Sequence, residues 1–258
     1  MVSAETADIP DAAAMLRDVR AHQAALDAIR ENYTFHRIRR TDDVDANGKV
    51  KSSNSVEREI FFVHGFPVGR TLKRNGVALS AQEEKSEDDN VRKAVAKALK
   101  TPGGGGPAAG RTALVSDILA VTTISNPRRV SLNGRSALAY DFRGDPKAHA
   151  HTMQQNAAKK LFGTIWFDEA DRQVAQLEVQ LDDNFKVGGG LLADVRKGTT
   201  LRVNQSPVGE GLWMQTSNEQ HLDLRIVLVK GYRQNVHVQD FDFKKFDVGA
   251  VQKVEAPR

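Results

Sequence analysis

Asp141, Asp145, His149 and His151 lie within one short stretch and carry the oxygen and nitrogen donors that a divalent cation takes. On a strand, the His-x-His spacing would place both imidazoles on one face, as a shared metal needs. The segment from Pro146 to Lys160 reads as a helix, however, in which a spacing of two turns the rings about 200° apart at 3.6 residues per turn. The pattern therefore predicts solvated polar residues on a connecting helix, and a metal-dependent enzyme built on Asp141 to His151 is the weaker alternative. Two glycine-rich stretches come near nucleotide fingerprints. Gly105 and Gly110 stand at phosphate-loop spacing, but Arg111 replaces the lysine that reaches the β and γ phosphates and Pro107 removes a backbone donor. Gly188, Gly190 and Ala193 fit G-x-G-x-x-A, yet the helix after them would stop at Gly198 and the chain returns at once to strand. With no H-E-x-x-H, no G-x-S-x-G and no defensible Ser-His-Asp spacing, no catalytic residue, metal or cofactor is assigned.

Composition narrows the classes further. The chain has 258 residues, 40% of them hydrophobic, enough for one large core, and strand signals continue on both sides of every candidate linker. One domain over 1–258 is therefore expected. The 37 basic and 33 acidic residues are interspersed, giving +4 with no dense basic run among aromatics, so no nucleic-acid partner is expected. The absence of cysteine removes disulfides, thiolate metal sites and cysteine catalysis. Met1 to Pro10 is short and polar, without the apolar core of a signal peptide. The most apolar run, Thr112 to Ser125, is broken by Asp117 and too short to span a bilayer, so no transmembrane segment is expected.

The elements that would position these residues are mostly strands. Met15, Val19, His22, Leu26, Ile29 and Tyr33 form one stripe of an opening helix over 11–30, with Pro10 and Asp11 at its start. His22 is expected to be half-buried at the edge of that stripe. Strands follow at Tyr33 to Arg40 and Val56 to His64, joined by Asp42 to Ser55 with its Asn47-Gly48 turn, then at Val68 to Lys73 and, past Asn75-Gly76, Val77 to Leu79. Glu57 and Glu59 are opposite in charge to Arg37 and Arg39, which predicts cross-strand ion pairs. Residues 81–100 read as a charged surface helix, with Val91, Val95 and Leu99 four apart, running into a flexible Gly-rich stretch to Gly110. Arg111 to Ile124 is expected as another helix. Arg128 to Leu132 and Ser136 to Phe142 pair around Asn133-Gly134. Asp182 to Gly198 reads as a glycine-hinged loop. The remaining strands are Leu201 to Gln205, Leu212 to Thr216, Leu222 to Lys230 and Tyr232 to Phe243, the last with a bulge where the apolar phase slips between Val238 and Phe241. Val248 to Arg258 reads as a frayed tail.

The centre of the chain is the hairpin Gly163 to Leu181. Thr164 to Phe167 are β-branched or aromatic, Asp168 to Arg172 form a polar turn, and Ala175, Leu177, Val179 and Leu181 alternate with Gln176, Glu178 and Gln180. This hairpin, with its G-x-hydrophobic-W-hydrophobic-D arm and the later Gly211-Leu212-Trp213, resembles the outer-membrane lipoprotein-sorting proteins, the LolA-like and LolB-like half-barrels, from about Ala12 to Phe246.

That resemblance implies an α+β fold, mostly antiparallel β: a strongly curved, incomplete half-barrel of about ten strands. Helices near 11–30, 81–100, 111–124 and 146–161 would cover its concave face. It implies a non-catalytic periplasmic protein, here in mature form without its signal peptide, that holds a hydrophobic ligand such as the acyl chains of a lipid or lipoprotein. In such carriers an insertion like Asp182 to Gly198 acts as a lid and an early-strand arginine latches it; Arg37 and Arg39 occupy the region without aligning to that arginine. The expected cavity residues are Phe35, Ile60, Phe62, Leu138, Tyr140, Trp166, Leu177, Val179, Trp213, Leu224 and Ile226, with an ordinary dry core as the competing account of each. The alternative is an extracytoplasmic sensor or scaffold for a membrane-associated protein partner, which the charged insertion would suit.

Overall fold

The computed structural model describes residues 9–11, 14–15, 17–18, 29–100, 120–187, 193–209, 211–226 and 231–245. Among them, thirteen strands form one antiparallel sheet that curves without closing. In chain order these are β1 (Tyr33–Val44), β2 (Val50–Val63), β3 (Phe66–Arg74), β4 (Val77–Ala78), β5 (Thr122–Leu132), β6 (Arg135–Gly144), β7 (Leu161–Asp168), β8 (Val174–Leu181), β9 (Phe185–Val187), β10 (Ala193–Val195), β11 (Thr200–Gly209), β12 (Leu212–Ile226) and β13 (Tyr232–Lys245). Two helices accompany them, α1 (Ala81–Lys100) and α2 (Met153–Ala158). The order across the sheet is β4-β3-β2-β1-β13-β12-β11-β8-β7-β6-β5, with β10 added beside β12 and β9 beside β10.

The tight turns follow from left-handed backbone positions. Asn75-Gly76 has φ of 50° and 79°, and Asn133-Gly134 has 52° and 78°, the two positive values a type I′ hairpin needs. His64-Gly65, at 49° and 77°, makes a third such turn in which histidine takes the place usually given to asparagine. At Asn47-Gly48 the Asp45 carboxylate instead accepts the N–H groups of Asn47 and Lys49.

Several expectations are corrected. The sheet has thirteen strands rather than about ten. Most of Asp42 to Ser55 is strand, because polar Thr41 to Asp43 and Ser52 to Asn54 pair across a hairpin that only turns at 45–49. Of the helix expected over 111–124, residues 111–119 lie outside the described residues, and Thr122 to Ser125 are strand, paired to Gly144 to Asp141. The helix expected from Pro146 to Lys160 is confined to Met153–Ala158, started by Thr152, whose hydroxyl accepts from Gln155 N. Leu212 to Ile226 is one strand instead of two, since the polar stretch between its apolar ends pairs on both sides, with β11 and β13. Described parts of Asp182 to Gly198 form β9 and β10 and not a plain loop. The bulge in the last strand is present, with a register shift opposite Thr34 and His36 and Asp242 at φ 54°.

The helices are also placed differently from the expected cover. α1 packs along β3 and β2, burying Val91 and Ala98. Its Glu87 takes the backbone N–H of Thr71, and its Asp88 pairs with Arg70, so it shields a strand that β4 covers only at Lys73 and Arg74. Ala14, Met15, Arg17, Asp18, Ile29 and Arg30 are helical in the opening segment. His22, the Gly-rich stretch to Gly110, the phosphate-loop near miss, Gly188 to Gly190 and the tail from Val248 lie outside the described residues.

The apolar residues gather in two cores. One joins Leu138, Tyr140, Phe142, Ile165, Phe167, Leu177 and Val179 to Met15, Val121 and Ala158. The other joins Tyr33, Phe35, Ile60, Phe62, Leu212 and Met214, with Ile29 against it. Between β7 and β8 the chains approach so closely that a Cβ at Gly163 would stand 1.9 Å from the Glu178 carbonyl oxygen and 3.0 Å from the Phe142 ring. Gly163→Ala must push the central hairpin apart. We expect a loss of more than about 2 kcal/mol, read as a lower urea midpoint, whereas Gly198→Ala, with open space around it but φ at 88°, should cost about 1 kcal/mol.

Candidate functional site

A cleft of about 1160 Å³ runs across one face of the sheet. Its floor is set by register: Leu177 lies opposite Val203 and Val179 opposite Leu201 on the β8–β11 pair. Leu222 of β12 and Val236 and Val238 of β13 continue it, while Leu161, Phe185 and Val195 stand around it. Leu201, Val203, Leu222 and Val238 remain half-exposed, so the floor is only partly covered by the protein itself.

The far side of the cleft is polar. On β1, Arg37, Arg39, Thr41 and Asp43 share the cleft face, and Asn54, Val56 and Arg58 of β2 lie across from them. Arg37 makes a two-pronged ion pair with Asp240, each bond 2.6 Å, and Gln215 Nε2 donates to the same carboxylate at 3.2 Å. The Asp240 side chain is 1% exposed, so this pair satisfies a carboxylate that has almost no water. Asp43 accepts from Gln234 and Ser52, which holds its carboxyl below the usual range.

The ion pairs expected between Glu57, Glu59, Arg37 and Arg39 do not form. Register places Glu57 opposite Ile38 and Glu59 opposite His36, on the other face, where Glu57 meets Lys73 at 2.9 Å. Arg37 instead lies directly opposite Arg58.

The eleven expected cavity residues do not share one surface. Leu177 and Val179 line the cleft. Leu138 and Tyr140 are buried in the first core, where burial pushes the Tyr140 phenol up and its O–H donates to Pro10 O at 2.6 Å. Phe35, Ile60 and Phe62 belong to the second core. Trp166 is paired with Ala139 and Gln176 and alternates with buried Ile165 and Phe167, which puts it on the opposite face. Leu224 is half-buried on β12 opposite Val195, and the side chain of Ile226 lies outside those described. Residues that the sequence reasoning missed, Leu201, Val203, Leu222, Val236 and Val238, all sat in strands it had drawn. The clue was the alternation itself, since Leu201 and Val203 continue the face of Val179 and Leu177 onto the next strand.

Trp213 is held at the end of the central hairpin. Its indole N–H donates to Asp171 at 3.0 Å and Arg135 stacks 5.6 Å from the ring centre. Arg135 also grips Asp168 through two bonds of 2.5 and 2.9 Å. Burial works against the charged Asp168 carboxylate, but the Arg135 bonds and backbone N–H groups of the turn outweigh it and hold its pKa below the usual range.

The Asp141 to His151 cluster does not converge. Asp141 is taken by Arg128, Asn126 and Thr164 at 2.7–2.9 Å, and Asp145 caps its own turn through Lys147 N. His149 and His151 lie in irregular chain, not on a helix, and their rings meet edge to face at 4.8 Å instead of pointing apart. Among the described residues no group of three or more His, Cys, Asp or Glu is placed to hold a metal ion, and no helix is long and apolar enough to cross a membrane. A second groove of about 780 Å³ is lined largely by polar residues, including Glu178, Arg202, Glu219, His221 and His237.

No family model and no curated protein matches this chain. Among solved structures it is similar to a protein described as an outer membrane lipoprotein-sorting protein domain from Vibrio parahaemolyticus, at 11% identity and a TM-score of 0.38, over 91% of this chain and 93% of that one. It is also similar to MucB, solved in complex with MucA(peri), at 10% identity and a TM-score of 0.27, over 90% and 94%. Likenesses this distant leave the function to be argued from the cleft.

Asp168 makes the site's support sensitive to acid. Its pKa is depressed on folding, so its contribution is present above the unfolded value of about 3.9 and is lost as pH falls through the lower folded value. Asp168→Asn should cost about 2 kcal/mol at neutral pH. The gap between variant and wild type, followed by urea midpoints from about pH 5 to pH 2, should narrow as the wild-type carboxyl is protonated.

Proposed function

We propose that this protein is a non-catalytic binding protein that holds acyl chains of a lipid or lipoprotein in the cleft of a half-barrel, and that it works in the periplasm as a carrier. One observation supports this above the others: a cleft of about 1160 Å³ whose floor of Leu201, Val203, Leu222 and Val238 is left half-exposed. Apolar area left in water costs roughly 25 cal/mol per Å², and a stable fold would ordinarily cover it. The volume lies somewhat above the about 300–1,000 Å³ common for ligand sites, and the polar side chains that interrupt the floor on β12, Asn218 and Gln220, are neutral and hydrogen-bonded to each other at 2.9 Å, so no charged group stands at its centre. Branched aliphatic side chains without an aromatic clamp suit a flexible methylene chain better than a flat ring.

The expected result is saturable binding of a fluorescent fatty-acyl probe by the wild type. Val203→Asp and Leu222→Asp, at half-exposed positions that a charge can occupy without unfolding the sheet, should each weaken it at least tenfold. A folded wild type with no saturable binding, or folded variants that bind as well as it does, would remove the carrier reading.

A further inference from the structure

The polar side of the cleft has an unbalanced charge. Arg37, Arg39 and Arg58 share one face, with Arg37 directly opposite Arg58 and Arg39 diagonal to Arg58, a spacing of about 7–8 Å. Like charges this close on adjacent strands are destabilising. Arg37 is neutralised by buried Asp240. Arg39 and Arg58 are exposed and form no ion pair or side-chain hydrogen bond among the described residues. The nearest acids do not quench them. Asp240 is diagonal to Arg39 across β1 and β13 but is taken by both prongs of Arg37 and by Gln215, and Asp43, four residues along the strand and about 13 Å away, is held by Gln234 and Ser52. Glu87 lies within electrostatic range of Arg58 but spends its carboxylate on Thr71. Some exposed arginines on this sheet are paired, Arg40 with Asp42 and Arg202 with Glu178, and the other sheet arginines without an ion pair among the described residues, Arg74 and Arg225, do not line the cleft. Two free guanidinium groups therefore converge at the rim of an aliphatic floor.

We infer that Arg39 and Arg58 bind the phosphate headgroup of an anionic phospholipid whose acyl chain lies along the Leu201, Val203 and Val238 floor. This rests on the carrier reading and adds the headgroup chemistry to it. A carboxylate is satisfied by one arginine fork, whereas a phosphate presents enough oxygens for two. The register joins the two parts directly, because Arg39 lies across from Val238, so the anionic end and the apolar floor meet on neighbouring strands.

The test compares a fluorescent lysophosphatidic acid, the monoacylglycerol of equal chain length, and the free fatty acid, with inorganic phosphate as competitor. The wild type should bind the phosphate lipid at least tenfold more tightly than the monoacylglycerol, and added salt should weaken that preference. Arg39→Gln and Arg58→Gln should each lose about tenfold for the phosphate lipid and nothing for the monoacylglycerol. Because the substitutions relieve repulsion, the thermal midpoint should hold or rise, and Arg202→Gln, at a paired site on the polar groove, should leave binding as it was. Equal binding of the phosphate lipid and monoacylglycerol, or unchanged affinity in the double variant, overturns the headgroup assignment while the carrier reading stands. Fatty acid binding with the same strength and the same arginine dependence overturns the choice of phosphate. Displacement by inorganic phosphate alone at low concentration overturns the lipid source. Failure of all three amphiphiles to bind overturns both readings.

Discussion

The pairing of the first strand with the last holds this molecule together. β1 and β13 run side by side over almost their whole length, from Tyr33 against Lys245 to Val44 against Arg233, although nearly the entire chain separates them in sequence. Backbone bonds along that seam are sequence-blind, and a slip by one residue would turn every side chain to the wrong face. Asp240 prevents the slip. A carboxylate at 1% exposure needs a cation within bonding distance, and only the observed register offers Arg37 with both prongs aligned. The bulge at Asp242 absorbs the remaining mismatch, so that Phe243 still reaches the second core against Phe35.

With that seam in place, the rest of the architecture follows from face alternation. A sheet of this many strands cannot stay flat, since each strand twists relative to its neighbour, and the curvature gathers one face inward. The inner apolar residues are consumed at two places, under Met15 and Val121 near β6–β8 and around Phe35 and Leu212 near β1, β2 and β12. Val174, Leu177 and Val179 belong to the first core and also border the cleft, so the floor is an extension of packed core and is held with the rigidity of that core.

Much of this was legible in the sequence, and the parts that were not have physical causes. Asn75-Gly76 and Asn133-Gly134 announced their hairpins because few other residues tolerate two successive positive φ values; His64-Gly65 hid because histidine seldom does so. Polar strands were missed as a class. Residues 42–44 and 217–221 are strand because neighbours on both sides supply backbone partners, and no local periodicity signals that. Thr122 to Ile124 were read as the end of a helix because Leu114, Ile118 and Val121 lie a helical spacing apart, whereas pairing with β6 decided the outcome. The cavity candidates were chosen as one alternating face of the strands, and alternation marks a face without saying how far it is filled. Tyr140, Ile165, Leu177 and Val203 fall in one row of the register, yet Tyr140 and Ile165 are packed in the first core while Leu177 and Val203 border the cleft.

The cleft is defined by what the fold leaves unfinished on both of its sides. At several other places on the sheet charges find partners and apolar groups find cover: Arg129 meets Glu169, Arg143 meets Asp182, and Met15 seals the first core. Along the cleft the aliphatic floor stays half-exposed and two arginines have no ion pair among the described residues, and the two deficits lie on adjoining strands. Either alone is tolerable, since isolated exposed leucines and solvated arginines are ordinary on protein surfaces. Together they have opposite solvent demands, so water alone satisfies only the arginines and further packing would satisfy only the floor. A single occupant that answers both must be apolar along most of its length and anionic at one end, which is why an amphiphile fits this surface better than a uniformly apolar ligand or a charged peptide.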